Sequence, residues 1–156
     1  MSASSMSSYD VRGRMLGVDP GRKRIGFALS DDLGMIARPL EVWSCRSKKR
    51  DARRVVELAR AHEVVAIVVG VARNLDDSDS ASTRWAHAFV EAIRAEMPDI
   101  PVIERDEALT SWDAEQRLRS LGQEIGPGGG VMIDAYAAAL ILQDELDERS
   151  AAKPYC

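Results

Sequence analysis

Residues Met15 to Ser30 read MLGVDPGRKRIGFALS. Leu16 and Val18 alternate with Met15, Gly17 and Asp19, and Ile25, Phe27 and Leu29 alternate with Gly26, Ala28 and Ser30. This is the period-2 signature of two strands, and Pro20, Gly21, Arg22 and Lys23 between them predict an antiparallel hairpin. Asp19 closes the first strand. On its face of the sheet the residue two back is Gly17, and the neighbouring strand offers Gly26 and Ala28, so bulk is cleared from beside the carboxylate. Two readings fit: an acidic site with room for a ligand, or a plain Asp-Pro-Gly turn.

Around this hairpin the chain is of ordinary globular composition. It has 156 residues, 46% of them hydrophobic, which suits one domain with a real core. The expected limits are a disordered, Ser-rich N-terminal tail over 1–12, a domain over 13–148 and a short C-terminal tail over 149–156. The first ten residues lack the apolar core of a secretory signal, and no segment reads as a membrane span, so a cytoplasmic protein is expected. Cys45 and Cys156 form no disulfide framework, and His62 and His87 give no zinc spacing. The net charge of -4 argues against a sequence-independent nucleic-acid coat. It leaves room for a nucleic-acid enzyme with a local basic patch.

Beyond the hairpin, Asp31-Asp32-Leu33-Gly34 is a turn, and Met35 to Trp43 reads as a third strand that Pro39 confines to an edge. Ser47 to His62 is a helix whose opening turns carry Lys48, Lys49, Arg50, Arg53 and Arg54. Such a run is most often a solvated face, and His62 reads as a packed residue or a dipole partner at the helix end. The unbroken run VVAIVV, Val64 to Val69, bounded by Gly70, fits a parallel strand buried on both faces. An acidic loop over 71–80 follows, then a helix with Trp85, Ala88, Phe89, Ala92, Ile93 and Met97 on one core-facing stripe. Pro101 to Arg105 gives a fifth strand.

Two further acidic sites come after it. Asp106 and Glu107 stand in a strand-to-helix joint ahead of Thr110 and Asp113, which have N-cap and N3 spacing. Their carboxylates also suit the dipole of that helix. The helix is expected to end near Gly122, followed by the Gly-rich loop GQEIGPGGG, which lacks the Lys-Ser/Thr ending of a P-loop. Val131 to Leu142, VMIDAYAAALIL, is apolar nearly all round, with Asp134 as its single charge. A buried carboxylate needs a cation or strong donors beside it, unless Asp134 merely occupies the first helical turn. Ala135, Ala137, Ala138 and Ala139 would let this helix lie close on the sheet.

Taken in this order, the elements and acids resemble a ribonuclease H-like fold, an α/β architecture with a five-stranded mixed sheet flanked by helices. Within it the chain is similar to the YqgF family, described both as pre-16S rRNA nucleases and as Holliday-junction-resolvase-like, from Met15 to Asp147. GVDPGRKRIGFALSD resembles the family's Asp-x-Gly-x-x-x-Ile-Gly strand pair, DEALTS its Asp-Glu-Arg-Leu-Thr/Ser-Thr run, and GVMIDAYAAALIL its final Asp-containing helix. The chain departs from the family at Ala108, where an Arg is usual, and at Gly70-Val71-Ala72-Arg73-Asn74, which lacks a Pro. It departs again at Gly126 to Gly130, which replaces a basic loop.

The resemblance implies a metal-dependent nuclease that trims the 5′ end of precursor 16S rRNA. Asp19, Glu107 and Asp134 would be the catalytic carboxylates and ligands of Mg²⁺ or Mn²⁺, with Asp106 a lesser candidate. Carboxylates suit Mg²⁺ chemistry, and two ions about 4 Å apart would suit in-line displacement. Arg22, Lys23, Arg24, Asn74 and Thr110 are the expected nucleic-acid contacts. The competing readings are a Holliday junction resolvase, which needs a two-fold dimer, and a non-catalytic nucleic-acid-binding module suggested by Ala108 and the lost basic loop. A monomer and a homodimer are both compatible with the sequence. The Asp-Pro-Gly hairpin is also similar to that of actin-like ATPases, which need two lobes where this chain has one.

Overall fold

The computed structural model describes residues 13–72, 81–107 and 129–152. Five strands form one mixed sheet, and three helices cover it among the described residues. In chain order they are β1 (Met15–Pro20), β2 (Arg24–Ser30), β3 (Ala37–Ser44), α1 (Lys48–Ala61), β4 (Ala66–Ala72), α2 (Ala81–Glu96), β5 (Val102–Glu107) and α3 (Gly129–Ala152). The spatial order is β3-β2-β1-β4-β5. The first three strands are antiparallel, and β4 pairs in parallel with both β1 and β5.

The alternation predicted for the hairpin decides which face each residue takes. Leu16, Val18, Ile25 and Phe27 turn to one side, where they pack with Val55 and Ala59 of α1 and Phe89 and Ile93 of α2. Met15 and Ala28 turn to the other side, with Ala138, Ile141 and Leu142 of α3. Burying both faces explains why β4 shows no polar alternation: Ile67 and Val69 enter the first core, Ala66 and Val68 the second. The expected core stripe of α2 is real, with Phe89, Ile93 and Met97 buried and Trp85 stacked on Phe89 at 5.5 Å.

Pro39 lies on the edge strand, as its missing N–H requires, opposite Ala28 and beside a register shift in β2 at Phe27/Ala28. The turn before β3 is held by Asp31, whose carboxylate accepts the N–H groups of Met35 and Ile36 at 2.7 and 3.0 Å. Those two bonds hold the Asp31 carboxyl below its usual range. Helix α1 is capped by Ser47, whose Oγ accepts the Arg50 N–H. It ends in a Schellman arrangement in which the Val64 N–H reaches the Ala59 carbonyl and the Glu63 N–H that of Arg60. Glu63 adopts φ 53° there, and His62 is the C-cap.

Several boundaries differ from expectation, among them that of β5, which runs through Asp106 to Glu107 and so takes the acidic pair into the strand rather than into a joint after it. Gly70 does not end β4, which runs to Ala72. Its missing side chain makes room for α3 instead, since a Cβ there would stand 2.4 Å from Cδ1 of Ile141. Helix α3 likewise opens at Gly129, inside the Gly-rich segment, and continues ten residues past Leu142 to Ala152, so that the first residues of the supposed C-terminal tail extend it. Its second half is polar and tied by ion pairs, Arg149 to Glu145 four residues apart and Arg105 of β5 to Glu145 and Glu148.

Candidate active site

The strands β1 and β5 run parallel through β4, so their C-terminal ends meet the same rim of the sheet. Asp19 is the penultimate residue of β1, half-buried, and registers with Gly26 of β2. Alternation from Gly17, whose added Cβ would strike Leu142 and the Ala138 carbonyl, puts Asp19 on the face covered by α3.

Gly26 then fixes the helix. A Cβ built on it would lie 1.8 Å from the Asp134 carbonyl oxygen and 2.8 Å from the Ala135 nitrogen, so the backbone of α3 rests directly on this glycine. Gly17 supports the next turn, with the Ala138 carbonyl 2.9 Å from its would-be Cβ. Small residues on both partners thus seat Asp134 over the strand that registers with Asp19, which is the close approach that the alanine run predicts. Asp134 lies in the second helical turn, not the first, so the helix dipole is not what accounts for it.

The cation that a part-buried carboxylate calls for is Arg24. Its Nε donates to Oδ2 of Asp134 at 2.7 Å, and the pairing holds the guanidinium's pKa above its ordinary value. Arg24 is on the α3 face by the same alternation that clears Gly26 and Ala28. That signal is present in the hairpin, but the residues of the turn alone group Arg24 with Arg22 and Lys23 as expected nucleic-acid contacts, whereas the structure pairs it with Asp134. Arg22 and Lys23 are exposed in the turn between β1 and β2.

Glu107 is the last residue of β5 and pairs with Ala72. Its position falls on the same sheet face as Ile103, which packs in the α3 core, and Arg105, which pairs with α3 acids. Its side chain lies outside the described residues. Asp106, by the same alternation, falls on the opposite face and is exposed. Asn74, Thr110 and the departure at Ala108 also lie outside the described residues. The rim therefore gathers the positions of Asp19, Glu107 and Asp134 on one face and leaves Asp106 apart. Among the described side chains no three acidic, His or Cys groups converge closely enough to hold an ion.

Cys45 was unread as a site residue. It follows β3, its Sγ–H donates to the Gly21 carbonyl at 3.3 Å, and its backbone N–H to that of Lys23 at 2.9 Å. Burial, then the charges of Asp51 and Asp134, push its thiol up to about 11. Cys45 therefore stays protonated at neutral pH.

No described helix is long and apolar enough to cross a membrane. The profile of the RuvX family, described as Holliday junction resolvase, matches residues 13–148. A relative from Anaeromyxobacter sp. (strain Fw109-5), named "Putative pre-16S rRNA nuclease", is 44% identical over 138 residues, covering 88% of this chain and 99% of its own. One of the same name from Nocardia farcinica is 41% identical over 147 residues, covering 90% and 81%. Among solved structures, RuvC of Thermus thermophilus in complex with Holliday junction substrate aligns with a TM-score of 0.58 at 22% identity, covering 90% of this chain and 97% of that one. The Fowlpox virus resolvase with its junction DNA aligns at 0.54 and 11%, covering 90% and 99%. These two likenesses are of fold. With an α/β sheet of the ribonuclease H-like kind and a profile match spanning nearly all of its length, this chain belongs to the RuvX family, also called YqgF.

Proposed function

We propose that this chain is a metal-dependent nuclease that hydrolyses phosphodiester bonds, acting in the cytoplasm on the 5′ end of precursor 16S rRNA. The observation that carries the reading is the seating of Asp134 on Gly26, beside the strand position of Asp19, at the rim where β5 ends in Glu107. The names of the relatives supply the substrate class.

The donor set fits a divalent ion such as Mg²⁺ or Mn²⁺. The three positions offer only carboxylate oxygens, the ligands such ions prefer. Asp134 already takes a cation, Arg24. Asp19, Glu107 and Asp134 would hold the ion, which when bound supplies a polarised water and neutralises charge on the phosphate. The chain's own groups do the rest. Arg24 balances Asp134, and a guanidinium is also the group that pairs with phosphate oxygens. Arg22 and Lys23 present cations to the backbone entering over the hairpin turn. Cys45, kept as a thiol, is no nucleophile at neutral pH.

The test is cleavage of labelled precursor 16S rRNA in Mg²⁺. Asp19→Asn, Glu107→Gln and Asp134→Asn should each lower the rate by about 10³-fold or more, the several kcal/mol that metal-assisted charge stabilisation contributes. Asp106→Asn, on the other face, should lose less than about tenfold, the size of a peripheral electrostatic effect. Intact activity in Asp19→Asn would overturn the reading. The family's description favours a second substrate, a four-way DNA junction, so a synthetic junction belongs in the same assay. Preferential, symmetric cutting of it by a dimer would replace RNA with branched DNA.

A further inference from the structure

On the opposite face of the sheet from the acidic rim, at the same end, lies a cleft of about 240 Å³ lined by Trp43, Arg46, Arg50, Arg53, Arg54 and Glu57. Trp43 registers with Ile25, which fixes the cleft to the α1 side of the hairpin. The four arginines are not equivalent. Arg54 is bound bidentately by Glu41 at 2.8 and 3.0 Å and also donates to Glu57 at 3.1 Å, so its charge is already answered. Arg46, Arg50 and Arg53 are exposed and, among the described residues, have no ion-pair partner. Three unanswered guanidiniums around one concavity, in a chain of net charge -4, are a local reversal of the protein's field.

The cleft is also built. Buried Asp51 accepts the Trp43 indole N–H and the Arg46 backbone N–H, both at 3.0 Å. That fixes the ring and the start of the loop into α1. The guanidiniums of Arg54 and Arg46 lie over the ring, at 5.1 and 6.0 Å from its centroid. The indole surface is therefore given to cations rather than left open for a stacked base. What such a cleft recognises is an anion with several oxygens, a phosphate, by guanidinium forks.

Its position says which phosphate. Ser44 pairs with Arg24, and the Cys45 N–H bonds the Lys23 carbonyl, so Arg46 begins where the hairpin turn ends. Lys23 of the turn, and Arg46 and Arg50 beyond it, thus place cations between the hairpin that carries Asp19 and the cleft. Resting on the nuclease reading above, we infer that the Trp43 cleft binds backbone phosphates of the substrate strand away from the scissile bond, as a positioning subsite formed by Arg46, Arg50 and Arg53.

The experiment is fluorescence anisotropy with a labelled single-stranded RNA of twenty nucleotides, titrated across salt in Ca²⁺ buffer, alongside cleavage in Mg²⁺. Losing two phosphate contacts in Arg50→Ala/Arg53→Ala should weaken binding about tenfold or more and flatten the salt slope by about 1.4, at roughly 0.7 per single-strand phosphate. Arg50→Lys/Arg53→Lys should recover most of the slope. The control Arg38→Ala/Arg60→Ala removes the same charge at exposed positions outside the cleft and should keep the wild-type slope. Circular dichroism confirms that each variant is folded. A double alanine variant indistinguishable from the control overturns the subsite while cleavage by wild type leaves the nuclease reading standing. Wild type that binds with this arginine dependence yet cuts nothing in Mg²⁺ or Mn²⁺ overturns the nuclease reading and keeps the cleft.

Discussion

Gly26 has no side chain because the backbone of Asp134 occupies the space one would need. Adding a single methyl in Gly26→Ala forces α3 off the sheet, since the nearest atom is a carbonyl that cannot rotate away. The expected cost is about 3 kcal/mol or more, at the upper end of overpacking, read as a lower denaturant midpoint together with loss of cleavage. A second residue-scale expectation concerns Cys45. Its thiol is raised by burial and by the charges of Asp51 and Asp134, so Asp134→Asn removes a negative neighbour and favours the thiolate. Alkylation of Cys45 by iodoacetamide at pH 8.5, followed by peptide mapping, should therefore run faster in that variant; an unchanged rate would mean that Asp134 does not act on the thiol. The sequence singled out Asp19 and Asp134, because one closed a strand swept of bulk and the other was the lone charge in the apolar run Val131 to Leu142. It did not disclose that Arg24 answers Asp134, which depends on how a helix more than a hundred residues later lands on the hairpin.

Among the elements, the hairpin, the edge strand, α1 and α2 were readable from period and punctuation alone, since each buries a face whose spacing its own residues declare. Boundaries set by distant packing were not. Gly70 reads as a terminator, yet it is interior because Ile141 needs its space, and α3 outlasts its apolar run because Arg105 and Arg149 bind its acids. Asp106 and Glu107 are adjacent in sequence, and only the pairing of β4 with β5 assigns them to opposite faces. The end of α1 carries a testable strain. Glu63 holds φ 53°, a conformation in which a Cβ crowds the following carbonyl. Glu63→Gly should stabilise the protein by about 0.5–1 kcal/mol, the relief of the left-handed penalty less the added freedom of the unfolded glycine, seen as a higher thermal midpoint with unchanged cleavage.

For the whole molecule, the ion proposed for the rim links to folding. A ligand bound only by the native chain at a hundred times its Kd adds about 2.7 kcal/mol, which for a domain of this size raises Tm by roughly 5–10 °C. Titrating Mg²⁺ in thermal-shift assays should show that rise in wild type, its reversal by EDTA, and none of it in Asp19→Asn. The net charge of -4 gave no hint of where cations gather, because it averages an acidic α3 with an arginine-lined cleft on the far side of the sheet.

Edge strand β3 bears on how two copies could meet. Pro39 lacks the donor that an added strand would require, the register shift opposite it interrupts the regular twist, and the Ala37 N–H is already taken by Gln143 of α3. A continuous ten-stranded sheet joined along β3 is thereby disfavoured. A symmetric pair formed to grip a branched substrate would therefore avoid that margin.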